Sequence, residues 1–210
     1  MDKNIKYTEL GEDLLIFNTY FNSEPNKIMV EVGAATPNYI SMSKLFRENG
    51  WRTICVEPNP EFVKLHKEQN NEIYQYAICD YNEKNVNFEI YSVSNEYNKD
   101  IITDHSYSSL GKKPGYDNKP GNINKKIIKV DVITLNYLLE KLNVNHVDFL
   151  SIDTEGWELE VLKGFDHNKY QPKIILIENV NHNFEYKNYM TSINYKKIKE
   201  IAVNEIYQKI

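Results

Sequence analysis

The strongest constraint on this chain is a repeating order of elements: an apolar run of strand length, a turn, a helical run, then another strand. KIMVEVGA (27–34), RTICVE (52–57), EIYQYAIC (72–79), VDFLSID (147–153) and KIILIENV (173–180) are largely apolar runs, the pattern of strands buried on both faces. Between them lie stretches with helical spacing. Residues 9–22 place Leu14, Leu15, Phe17, Tyr20 and Phe21 on one face of an entry helix. Thr36-Pro37, a capping residue followed by proline, predicts a helix running through Tyr39, Met42, Leu45 and Phe46 to Asn49-Gly50. Pro58-Asn59-Pro60 opens another, and 135–142 and 157–165 supply two more, the last closed by Gly164. VNFEIYSV (86–93) alternates with period two, as an exposed or edge strand does, and 195–210 reads as an antiparallel hairpin turning at Asn204. The alternation predicts an α/β fold, a three-layer Rossmann-like sandwich around a mostly parallel sheet with a C-terminal antiparallel hairpin.

At 210 residues and 41% apolar, the chain reads as a single domain over 1–210, with a helical entry segment at 1–26. The stretch 94–125 has three glycines, two prolines and few apolar anchors, and is expected to be a long loop on the substrate side. A net charge of -5 argues against a broad basic surface, so no duplex nucleic acid is expected as a partner. No apolar run is long enough to span a membrane, and the N-terminus lacks the apolar core of a signal peptide. Cys55 and Cys79 sit inside apolar runs as small hydrophobes; they fit a cytoplasmic protein and no zinc site.

In an open parallel sheet, ligands bind beyond the carboxyl ends of the strands. There the sequence puts Glu31-Val32-Gly33-Ala34-Ala35, Glu57-Pro58-Asn59, Ala77 to Asp80, Asp153-Thr154-Glu155-Gly156 and Glu178-Asn179. Strand ends lined with carboxylates repel phosphate, and neither a dinucleotide fingerprint nor a P-loop is present. The setting suits a cationic sulfonium with free ribose hydroxyls, as in S-adenosylmethionine, and Gly33 lets the backbone come close to such a ligand.

VEVGAA (30–35), EPNPEF (57–62), QYAICD (75–80), SSL (108–110), VDFLSIDTEGWELEVLKGF (147–165) and IILIE (174–178), in this order and spacing, resemble the FkbM-type class I methyltransferases. The resemblance implies S-adenosylmethionine as cofactor, held by Glu31, Gly33, Ala34, Ala35, Glu57, Pro58, Ala77, Ile78 and Asp80. Glu57 takes the place of the ribose-binding acid, and Ala77-Ile78 flank the adenine. Asp153 and Glu155 take the acidic pair facing the transferred methyl group. Where many members of the family have a second glycine, this chain has Pro37.

The reaction expected is methyl transfer to a hydroxyl of a sugar, glycan or nucleotide-sugar, with Asp153 as general base and Glu178 as its partner. The same pair is also suited to hold a divalent ion such as Mg2+. His105, Ser108, Ser109 and Glu155 are expected on the substrate side. Lys112, Lys113, Lys119, Lys125, Lys126 and Lys129 read either as a solvated face or as a lid that draws in an anionic acceptor. Glu31 has a competing role as the cap of the next helix, and Asp153 and Glu155 as caps before Trp157. His66, His146 and His167 read as solvated surface residues, and Tyr39 and Trp157 as core. Two other functions stay open: a module that binds S-adenosylmethionine without turnover, and a 2′-O-methyltransferase acting on RNA, which would need a basic groove.

Overall fold

A computed structural model of the chain describes residues 5–93, 108–111 and 123–210. Its main sheet uses β1 (Ile28–Val32), β2 (Arg52–Val56), β3 (Ile73–Tyr74), β7 (Phe149–Ile152), β8 (Ile174–Glu178), β9 (Tyr195–Ile201) and β10 (Asn204–Lys209). They lie in the order β3-β2-β1-β7-β8-β10-β9. The first five are mutually parallel; β10 runs antiparallel to both β8 and β9. Strand order reverses between β1 and β7, so the carboxyl ends of these two strands diverge into a crevice.

The period-two geometry of the buried strands divides the core between two faces. Met29, Phe149, Ile174 and Ile206 face helices α1 (Glu12–Phe21) and α2 (Met42–Glu48), meeting Phe17, Phe21, Leu45, Phe46 and Trp51. Val30, Ile54, Leu150 and Ile175 face the opposite layer, α4 (Leu135–Lys141), α5 (Glu158–Lys163) and α7 (Phe184–Ser192). Helix α3 (Pro60–Glu68) follows β2, with the Asn59 side chain accepting from the Glu61 amide as its cap. Between α5 and β8 lies the single turn α6 (His167–Tyr170).

Four local readings are corrected. The run 72–79 is two strands: β3 continues the main sheet, while β4 (Ala77–Ile78) pairs with β6 (Ile123–Ile133) in a second sheet that also holds β5 (Glu83–Val93), in the order β4-β6-β5. The long connection is correspondingly shorter than 94–125, since β6 starts at Ile123 and Ser109 bridges back to Glu89 through two backbone hydrogen bonds. The second helix begins at Met42 rather than at Thr36-Pro37. Thr36 Oγ1 instead closes a turn with Tyr39, and Ile40 takes φ +50 before the helix starts. The hairpin turns at Ala202-Val203, one register step before Asn204, which already pairs with Ile201.

Candidate active site

The carboxyl ends of β1, β2, β7 and β8 open into one cleft of about 440 Å³, within the size range of small-molecule sites. Glu31, Gly33, Ala35, Glu57, Pro58, Ala77, Ile78, Ser108, Ser109, Asp153, Glu155 and Glu178 line it together. Residues far apart in sequence are thus gathered at the switch in strand order. Ala34, buried with its amide bonded to the Val56 carbonyl, and Asp80, exposed beside Cys79, lie outside that lining. His105, Lys112, Lys113 and Lys119 lie outside the described residues. Lys125, Lys126 and Lys129 sit on β6 away from the cleft, with Lys125 paired to Glu89.

The loop after β1 is tied down at each step. Gly33 and Ala34 donate to the Val56 carbonyl, at 3.0 and 3.2 Å. Gly33 takes φ +84, and a Cβ there would stand 1.7 Å from the carbonyl oxygen of Asp153. The glycine is therefore demanded by the close approach of the β1 and β7 ends, before any ligand is considered. Glu57 turns one carboxylate oxygen to the Ala35 amide (3.0 Å) and the other to the Asn59 amide (2.8 Å). Glu31 does act as a helix cap, accepting from the amides of Met42 at 3.0 Å and Ser43 at 3.2 Å; this fixes where α2 begins. Burial pushes Glu31 and Glu57 up to about 7, against the backbone amides that favour the charged form.

Past β7, the turn before α5 is braced by a residue the sequence reading did not single out, while the helix's own N-cap, Trp157, makes no side-chain cap hydrogen bond. Glu158, fully buried, accepts from Thr154 N (2.8 Å), Thr154 Oγ1 (3.2 Å) and Gly156 N (3.0 Å), and Tyr186 donates to its second oxygen at 2.7 Å. Glu155, in the same turn, takes φ +54. Asp153, Glu155 and Glu178 bring one oxygen each within 4.8 Å of one another. Asp153 is itself exposed to solvent in the cleft, yet protein atoms crowd its carboxyl. Burial, then the charges of Glu158 and Glu31, raise its pKa. Burial, then Asp153 and Glu155, raise that of Glu178 further, and Glu178 Oε2 is buried with no hydrogen bond. Such a group favours a proton or an external cation.

More of the lining comes from places that carried no sequence signal: Thr8, Glu9, Leu10 and Glu12 before and at the start of α1, and Ala202 to Asn204 at the hairpin turn. Asn204 Nδ2 donates to Glu12 at 2.9 Å and joins the two. Tyr39 is 58% exposed on the rim and is not a core residue. Trp157 packs on the second sheet and donates from Nε1 to the Gly111 carbonyl at 3.3 Å, holding Ser108–Gly111 over the cleft. His66 is not a surface residue. It is fully inaccessible, its Nε2 lies 3.2 Å from the Ala35 carbonyl, and burial pushes it down to about 4.

A stability profile follows from these acids. In the unfolded chain Glu31 and Glu57 lose their protons near 4.5, while in the fold they keep them to about 7. Between those values the native state binds more protons through these two acids, and Asp153 and Glu178 act in the same direction, so stability falls as pH rises through this window despite the opposite contribution of the single His66. The melting temperature of the ligand-free protein is expected to drop from pH 5 to pH 7.5; a rise over that range contradicts the raised carboxyls.

The protein-family model for the methyltransferase FkbM domain matches residues 31–201. None of the proteins with curated descriptions matches the chain. In fold it is similar to the crystal structure of methyltransferase FkbM from Methylobacillus flagellatus KT, with a TM-score of 0.53 at 14% identity, over 87% of this chain but 43% of that one. This chain thus spans less than half the length of that protein. Precorrin-6y C5,15-methyltransferase from Geobacter metallireducens GS-15 is 12% identical over 98% of this chain and 94% of that one, with a TM-score of 0.40. The family match begins at Glu31, runs through Glu57 and the Asp153 block, and ends at the last residue of β9. The chain belongs to the FkbM methyltransferase domain family.

Proposed function

We propose that this protein is an S-adenosylmethionine-dependent O-methyltransferase acting on a hydroxyl of a sugar, glycan or nucleotide-sugar. The observation that carries the reading is the lining of the cleft. Among its described residues there are seven carboxylates and no lysine, arginine or histidine. That set of acceptors fits a sulfonium and ribose hydroxyls and disfavours a phosphate backbone, which argues against an RNA acceptor. The cofactor supplies a methyl group made electrophilic by the positive sulfur. Glu57 would take the ribose hydroxyls with the lone pairs its two amide hydrogen bonds leave free, and Ala77 and Ile78 would give the adenine an apolar wall. Asp153, in the cleft beside the strand crossover, would accept the acceptor's proton, with Glu178 sharing it.

Ser108, Ser109 and Glu9 add hydroxyl-binding groups to the lining, which also includes the exposed ring of Tyr39. That mixture suits a polyhydroxylated ring with one apolar face. The oxygen-only chemistry of Asp153, Glu155 and Glu178, with the unsatisfied Glu178 Oε2, also fits magnesium; the ion would lower the pKa of the acceptor hydroxyl. Turnover that survives chelation assigns Asp153 as base, and turnover lost to chelation and restored by magnesium assigns it as ligand. The cytosol is the compartment proposed, on two buried free cysteines.

The reading is tested by transfer of labelled methyl to a panel of nucleotide-sugars and glycans. Transfer to at least one supports it, whereas cofactor binding with no transfer to any leaves the non-catalytic module as the better account. Glu57→Ala is expected to weaken S-adenosylmethionine binding by about 1–3 kcal/mol in calorimetry, the usual cost of charge-assisted hydrogen bonds. Unchanged affinity with an intact fold removes the ribose assignment.

A further inference from the structure

The loop after β1 contains a single glycine, Gly33, yet a second residue there, Ala35, also takes a left-handed backbone, with φ +40. That conformation is disfavoured for a residue with a Cβ and persists only where the surroundings enforce it. Two side chains hold Ala35, one at its amide and one at its carbonyl. Glu57 accepts its amide at 3.0 Å, and the His66 Nε2 lies 3.2 Å from its carbonyl. His66 comes from α3, is fully inaccessible, and has its other nitrogen, Nδ1, 3.5 Å from Asn71 Nδ2. A carbonyl only accepts and an amide nitrogen only donates, so one tautomer satisfies both contacts: the neutral ring with its proton on Nε2. Just beyond, Arg47 Nη2 donates to the Pro37 carbonyl at 3.1 Å. Side chains reaching in from neighbouring helices thus hold the loop where a further glycine would have let it bend unaided.

We propose that His66 is a positioning residue for the cofactor. As the Nε2–H tautomer it clamps the Ala35 carbonyl, which keeps the Ala35 amide on Glu57 and gives the Gly33–Thr36 loop the contour that admits S-adenosylmethionine. The proposal rests on the cofactor reading above. A histidine that merely fills the core would depend on its volume alone; a clamp depends on one hydrogen atom at one place.

The test is calorimetry with S-adenosylmethionine on the full chain, beside thermal melts, for His66→Phe, His66→Asn, His66→Gln, Ala35→Gly and the double variant Ala35→Gly/His66→Phe. A glutamine amide reaches the place of Nε2, an asparagine amide does not, and phenylalanine keeps the volume without a donor. Phe and Asn are expected to weaken binding about tenfold, the scale of one lost hydrogen bond, and Gln to stay within about threefold of wild type. In the Ala35→Gly background, where positive φ comes freely, the His66→Phe substitution is expected to cost less than about threefold. Equal affinity of all three His66 variants with wild type overturns the clamp. So does Gln binding as weakly as Phe, or a loss from His66→Phe that is the same with and without Ala35→Gly. Hydrogen exchange at the Ala35 amide, read without ligand, tests it separately from the cofactor reading. Protection in wild type and His66→Gln that is lost in His66→Phe supports the clamp, and equal protection in all three overturns it. A wild-type protein that gives no heat with S-adenosylmethionine but shows this exchange pattern refutes the cofactor reading and leaves the clamp standing.

Discussion

Asp153→Asn is expected to lower turnover by about a thousandfold while S-adenosylmethionine affinity stays within a few-fold, because a positioned proton acceptor contributes about 10²–10⁴. Asp153 follows the last residue of β7, in the cleft, with an oxygen within 4.8 Å of those of Glu155 and Glu178. Its carboxyl is raised by burial and by the charges of Glu158 and Glu31, so above neutral pH it is a stronger base than an ordinary aspartate. Asparagine keeps the shape and one oxygen but cannot take the proton. Single-turnover rates with the acceptor identified in the methyl-transfer panel, beside calorimetry, separate chemistry from binding. A variant that turns over at the wild-type rate places the base elsewhere, with Glu178 the next residue to test.

Gly33→Ala is expected to cost roughly 4 kcal/mol of stability, at the exceptional end for a single substitution. Its Cβ would stand 1.7 Å from the carbonyl oxygen of Asp153, and the backbone atom it meets cannot swing aside as a side chain can. The φ of +84 adds the strain of a left-handed backbone. The ends of β1 and β7 must therefore part, and this junction lines the cleft. Urea unfolding measures the loss, and a cost under about 1 kcal/mol would show that the two strand ends adjust freely.

The parallel core was legible because β1, β2, β7 and β8 are apolar on both faces, which few other settings permit. The division of EIYQYAIC between two sheets was not legible. Its apolar pattern continues through Tyr76, while the change of partner from β2 to β6 depends on a strand more than forty residues later. The acids at the strand ends were legible as a cluster from topology alone. Which of them cap helices was not. Glu31 reaches amides eleven and twelve residues away to cap α2, while Glu158, the first residue of α5, caps nothing and folds back to brace Thr154 and Gly156. Thr36-Pro37 carried the local signal for a helix start, but the buried Glu31 carboxylate binds the Met42 and Ser43 amides instead, a tertiary contact overriding a local preference. His66 was misread because a histidine flanked by Leu65 and Lys67 looks solvated until α3 is laid against the loop after β1.

A crystal structure of the full chain with S-adenosylhomocysteine tests the central claim most directly, since it locates the cofactor against the strand ends. The account predicts the nucleoside in the cleft between β1 and β7. Both ribose hydroxyls should lie within hydrogen-bond distance of Glu57, the adenine against Ala77 and Ile78, and the sulfur on the side of Asp153, Glu155 and Glu178. A ligand bound elsewhere, or one in the cleft with its ribose away from Glu57, contradicts it.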